Sequence, residues 1–171
     1  MDLSTFIRDV PDFPKPGIIF KDITPLLKSH DATSYAINSI FDHYSDAGIT
    51  GVAGIESRGF IFGCPVAGLF GVGFIPIRKP GKLPYDTYSQ EYSLEYGTDC
   101  VEMHTDAMGP GDRILIVDDL LATGGTAAAT SSLIKKTGAD VVGFSFVVEL
   151  EFLNGAEKLG DIPILSLIKY P

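Results

Sequence analysis

The stretch of chain between residues 114 and 150 constrains the fold more than any other. Residues 114–117 are an aliphatic run of the buried-strand kind, and 118–125 form a loop of small residues. An Ala-rich helix over 126–136 is stopped by Gly138, and 141–150 is apolar again. Two buried strands joined through a helix form a βαβ unit, whose strands run parallel. The pattern occurs upstream as well, with a strand at 51–55, a loop at 56–59, a helix at 60–70 and a strand at 74–77. The fold class is therefore α/β: a mostly parallel sheet with helices on both faces, whose ligands sit at the carboxyl ends of its strands.

The remaining segments read less regularly. Pro11, Pro14, Pro16, Gly17 and Pro25 forbid one helix over the first thirty residues and predict an irregular flap around Ile18, Ile19 and Phe20. Asp31 reads as the N-cap of a helix that carries Tyr35, Ile37, Ile40, Phe41 and Tyr44 and stops at Gly48. A long mobile loop is predicted over 79–90, then strands at 91–94 and 101–104 paired around a turn at 97–99. The uncharged stretch 59–77 has the length of a membrane helix, but Gly63, Pro65, Gly68, Gly71, Gly73 and Pro76 break it, so it reads as buried core.

Composition narrows the partners. With 171 residues and 45% of them hydrophobic, the chain can bury a sizeable core and is read as one domain over 1–171. Its 13 basic against 22 acidic residues give a net charge of -9, which disfavours nucleic acid. Cys64 and Cys100 are far apart and have no metal-ligand spacing, so a reducing cytoplasm fits best. The N-terminus lacks the apolar core of a secretory signal, and neither a membrane span nor a protein-held metal is expected.

Chemistry concentrates at residues 117–126. Gly124 and Gly125 let backbone N–H groups converge at a helix N-terminus, where the dipole favours an anion and the Thr123 and Thr126 hydroxyls add donors. Asp118 and Asp119 would repel a phosphate in direct contact. They suit sugar hydroxyls a few ångströms away, directly or through Mg²⁺ and its waters. A lone Gly-Gly-Thr would be an ordinary turn, but two acids, two threonines and two glycines at one strand–helix junction are more than a turn needs.

This segment resembles the phosphoribosyl pyrophosphate (PRPP) motif of the type I phosphoribosyltransferases. Residues 11–14, 54–60, 78–84, 92–97 and 148–150 extend the likeness over nearly the whole chain, in particular to the members acting on adenine. The resemblance implies a homodimer that converts adenine and PRPP into AMP and pyrophosphate with Mg²⁺, and a small N-terminal hood over about residues 1–30. By the same resemblance Asp118 and Asp119 bind the ribose hydroxyls, and Ala122, Thr123, Gly124, Gly125 and Thr126 wrap the 5′-phosphate. Ser57 and Arg58, with a non-proline cis peptide between them, form the pyrophosphate loop. Arg78, Lys79 and Lys82, on a closing lid, add charge to it. Ile19, Phe20 and Lys21 face Leu150 across the base, which is read mainly by main-chain groups, and Glu95 is the catalytic acid/base. The alternatives are an enzyme for another purine base, hypoxanthine or xanthine, and a non-catalytic PRPP-binding regulator.

Overall fold

The computed structural model describes residues 1–93 and 97–171. A 3-10 turn (Leu3–Phe6) is followed by β1 (Arg8–Pro11), β2 (Ile19–Asp22), α1 (Thr24–Lys28) and α2 (His30–Tyr44). There follow β3 (Gly51–Ile55), α3 (Gly59–Phe70), β4 (Gly73–Ile77), β5 (Thr87–Ser93) and β6 (Thr98–His104). The last part holds β7 (Arg113–Leu121), α4 (Gly125–Lys135), β8 (Asp140–Leu150) and β9 (Ile164–Tyr170). Five strands form one parallel sheet in the order β4-β3-β7-β8-β9, the α/β architecture read from the sequence.

Alternation along the central strands divides the core in two. Leu115 and Val117 of β7 pack with Val52, with Ala36 and Ile40 of α2, and with Phe62 and Val66 of α3. Ile114 and Ile116 face the other way, toward Leu133 and Ile134 of α4 and Phe144 and Phe146 of β8. Strand side chains alternate in direction, so one aliphatic run feeds both layers and the sheet is covered on both sides. The stretch 59–77 is α3 and β4, and none of the helices described is long and apolar enough to cross a membrane.

Five sequence expectations need correction. The first thirty residues are not irregular: β1 and β2 pair antiparallel from Arg8↔Asp22 to Pro11↔Ile19, because the prolines fall at the end of β1 and between the strands. The N-cap of α2 is Ser29, whose Oγ accepts from the Ala32 N–H at 3.2 Å, while Asp31 lies inside the first turn. That helix also ends earlier, at Tyr44. The loop after β4 closes by residue 86, since Thr87–Ser93 pairs residue for residue with Thr98–His104. Lastly, β7 continues through Asp118 and Asp119 to Leu121, because β8 matches it as far as Glu149. The two acids therefore stand on a strand rather than in a loop.

Candidate active site

The carboxyl end of β7 carries the acidic pair. Asp119 is buried, and Arg58 Nε lies 2.9 Å from its Oδ2. Among the described residues that oxygen receives no hydrogen bond, so the Arg58 pairing is ionic and off the donor axis. The Asp119 N–H donates to Asp118 Oδ1 at 2.8 Å. Burial, followed by repulsion from Asp119, raises the Asp118 pKa well above the ordinary carboxylate value. Burial raises Asp119 too, against the opposing pull of Arg58. Two carboxyls that burial makes costly to ionise are poised for a ligand that donates hydrogen bonds or brings positive charge.

Beyond β7 the chain turns through Ala122, Thr123 and Gly124 into α4. Gly124 has φ +75°, and a Cβ there would lie 2.2 Å from the Gly155 carbonyl oxygen. A Cβ on Gly155 would in turn lie 2.1 Å from the Ala122 oxygen. The turn is thus braced from behind by the segment after β8. Among the described residues no side chain caps α4, and its start adjoins a small cavity of about 80 Å³ lined by Asp118, Thr123, Gly124, Gly125 and Thr126. One sequence expectation changes here. Thr126 Oγ1 donates to the Tyr92 hydroxyl at 3.0 Å, so its single proton is committed and Thr126 has only its N–H left for an anion.

A larger, mainly apolar cavity of about 560 Å³ adjoins the first, and Thr123 lines both. Ile19, Lys21 and Leu150 line it together with Phe152 and Tyr170. Phe20 does not: alternation along β2 turns its ring the other way, edge-on to Phe13 and 5.1 Å from the Arg58 guanidinium. The Lys21 ammonium is also engaged, 2.7 Å from Asp9 Oδ1 and 3.7 Å from the centre of the Tyr170 ring. Phe152 and Tyr170 escaped sequence reasoning because no motif marks them, and neither does any mark Gly155.

The basic cluster converges on an acid. Glu56 accepts from Arg78 Nε at 3.3 Å, from the Lys79 N–H at 2.9 Å and from Lys82. Burial works against its charge, but Lys82, the Lys79 N–H and Arg78 hold its pKa down to about 2. The expected cis peptide is present one bond earlier, at Glu56–Ser57. Arg78, Lys79 and Lys82 are thus neither free nor merely solvated, and Lys79 reaches away to Asp99 and the Tyr92 hydroxyl. Glu95 lies outside the described residues.

Glu56 gives a testable pH dependence. Its pKa falls from 4.5 to about 2, so its contribution is complete above pH 4.5 and is lost as the pH falls toward 2. Asp118 and Asp119 are shifted upward and act in the opposite sense, so the test compares wild type with Glu56→Gln. In urea titrations at pH 6 and pH 3, the wild type should lose about 1 kcal/mol more than the variant, after solvent screening of the exposed cations. Parallel losses would show that the carboxylate contributes nothing.

The chain matches the phosphoribosyl transferase domain over residues 21–159. It is 58% identical to adenine phosphoribosyltransferase of Thermosynechococcus vestitus, over 99% of this chain and 100% of the relative. The solved structure of adenine phosphoribosyltransferase from Thermoanaerobacter pseudethanolicus superposes with a TM-score of 0.95 at 50% identity, covering 98% of each chain. That of the Saccharomyces cerevisiae enzyme, complexed with an imino-altritol bisphosphate and adenine, gives 0.90 at 37% identity over 96% of each. The chain belongs to the adenine phosphoribosyltransferases, within the type I phosphoribosyltransferase family.

Proposed function

We propose that the two cavities meeting at Thr123 hold the two ends of one nucleotide, and that here the chain performs the reaction of its family. As an adenine phosphoribosyltransferase it transfers the 5-phosphoribosyl group from PRPP to adenine, releasing pyrophosphate and forming AMP in purine salvage. The observation that carries the assignment of the site is the shared wall: a helix N-terminus that no described side chain caps on one side, an apolar cavity on the other, and two acids, half-buried Asp118 and buried Asp119, at the same strand end. The Ala122–Gly125 turn, the Thr123 hydroxyl and the Thr126 N–H take the 5′-phosphate, and Asp118 and Asp119 take the ribose hydroxyls. Ile19 and Leu150 enclose adenine, while main-chain groups about Lys21 read its edge. A 6-oxopurine would reverse the hydrogen-bond polarity and leave buried groups unpaired.

Ser57, Arg58, Arg78, Lys79 and Lys82 receive pyrophosphate, and residues 79–86 close over it as a lid that excludes water. Among the described residues no three acidic, His or Cys side chains converge as a metal cage. The hard carboxylate oxygens of Asp118 and Asp119, among them the buried Asp119 Oδ2 to which no described residue donates, fit Mg²⁺ carried by PRPP and reached through its waters. Bound there, the metal neutralises phosphate charge. Glu95 serves as acid/base for the purine. The chain acts as one domain in the cytoplasm, its N-terminal hood covering the site. The exposed apolar side of α3, with Ile61 at 42% and Leu69 at 46% exposure, suits burial against a second copy in a homodimer.

Incubation of the pure protein with PRPP, Mg²⁺ and a panel of bases, followed by chromatography of new nucleotides, tests the function. AMP from adenine, with hypoxanthine and xanthine slower by orders of magnitude, is expected. No AMP, or equal use of a 6-oxopurine, contradicts it.

Asp119→Asn separates function from stability. The neutral isostere removes a carboxyl that burial makes costly to ionise, so the ligand-free melting temperature should stay level or rise at pH 7. PRPP affinity by calorimetry should fall by roughly tenfold or more, as lost hydrogen bonds to a charged group imply. Unchanged affinity would remove Asp119 from the ribose site.

A further inference from the structure

Tyr92 occupies a junction that the proposed chemistry does not use. It lies at the end of β5, and its ring packs on the turn into α4, where a Cβ on Gly125 would stand 3.2 Å from Cδ2. Its hydroxyl accepts from Lys79 Nζ at 2.9 Å and from Thr126 Oγ1 at 3.0 Å, and donates to Asp99 Oδ2 at 3.1 Å. One donor and two acceptor positions exhaust a phenol, so this hydroxyl has no capacity left for substrate. Asp99 also pairs directly with Lys79, which lowers the Asp99 pKa and keeps the arrangement ionic. Lys79 belongs to the basic loop after β4, Thr126 to the first turn of α4, and Asp99 to β6. Three separate segments are thereby tied at one oxygen.

We infer that Tyr92 is a positioning residue that fixes the spacing between the phosphate turn at the start of α4 and the basic loop carrying Lys79. The inference rests on the reading of those two segments as the 5′-phosphate and pyrophosphate sites. A ligand that spans both gains from their being held at the right separation, because the second contact is then made at high effective concentration. A ligand that occupies only one gains nothing from it. PRPP carries both groups, whereas AMP and pyrophosphate each carry one, so the three ligands discriminate a spacer from a general prop.

Tyr92→Phe deletes the hydroxyl and keeps the ring against Gly125. Calorimetry with Mg²⁺ present should show PRPP affinity weakened roughly 5- to 20-fold, with AMP and pyrophosphate each changed by less than about twofold. The urea midpoint, measured alongside, should change little. Asp99→Asn loosens the same junction from its other side and should give the same pattern, so the result does not depend on one variant. Equal weakening of all three ligands, or unchanged PRPP affinity in both variants, overturns the inference. A wild-type protein that binds none of the three overturns the assignment of the two sites, and the spacer role with it.

Discussion

Gly124→Val loses PRPP affinity by roughly a hundredfold or more, as several charge-assisted hydrogen bonds imply, and lowers stability by about 3 kcal/mol. Two effects combine. At φ +75° a β-branched residue sits in a backbone region it rarely adopts. Its Cβ would also lie 2.2 Å from the Gly155 oxygen, a backbone atom that can withdraw only if the segment after β8 moves. That movement displaces Gly155 from Ala122 and opens the turn whose N–H groups face the anion. Gly155→Ala should reproduce much of the loss without the strained φ at Gly124, since its Cβ would lie 2.1 Å from the Ala122 oxygen. Urea titration measures the stability and calorimetry the affinity. Wild-type affinity in Gly124→Val would mean that the turn binds no phosphate.

Glu95→Gln is expected to slow turnover by about a hundredfold, the low end of what acid–base catalysis contributes. Adenine must shed its N9 proton as N9 bonds to the ribose carbon and pyrophosphate departs, and a carboxyl near N7 can balance the purine's protons. Gln keeps the size and the hydrogen-bonding reach of Glu but cannot titrate. PRPP affinity should therefore change little while the rate of the chemical step in single turnover falls. A wild-type single-turnover rate would remove Glu95 from the mechanism.

Much of this was legible in the sequence because the physics involved is local. The aliphatic runs of β3, β7 and β8, and the glycines leading into α4, identify a parallel sheet and an anion-binding turn without tertiary information. What escaped was non-local. β9 follows two short 3-10 turns rather than a crossover helix, so no βαβ signature announces it. Gly155 is an ordinary loop glycine until its neighbour across space is known to be Gly124. The two acids read as loop residues because carboxylates are depleted in strands, and only the reach of β8 keeps them in the sheet. The engagement of Arg78 and Lys82 by Glu56, and of Thr126 by Tyr92, joins residues more than twenty positions apart, which spacing arguments do not see.

One nucleotide should bridge the two cavities at Thr123, a claim open to test by a crystal structure of the protein with AMP. The phosphate is expected on the 122–126 turn, the ribose hydroxyls at Asp118 and Asp119, and adenine between Ile19 and Leu150 beside the Lys21 main chain. AMP bound with its base outside the cavity of Ile19, Lys21 and Leu150, or with its phosphate away from the start of α4, would contradict that claim.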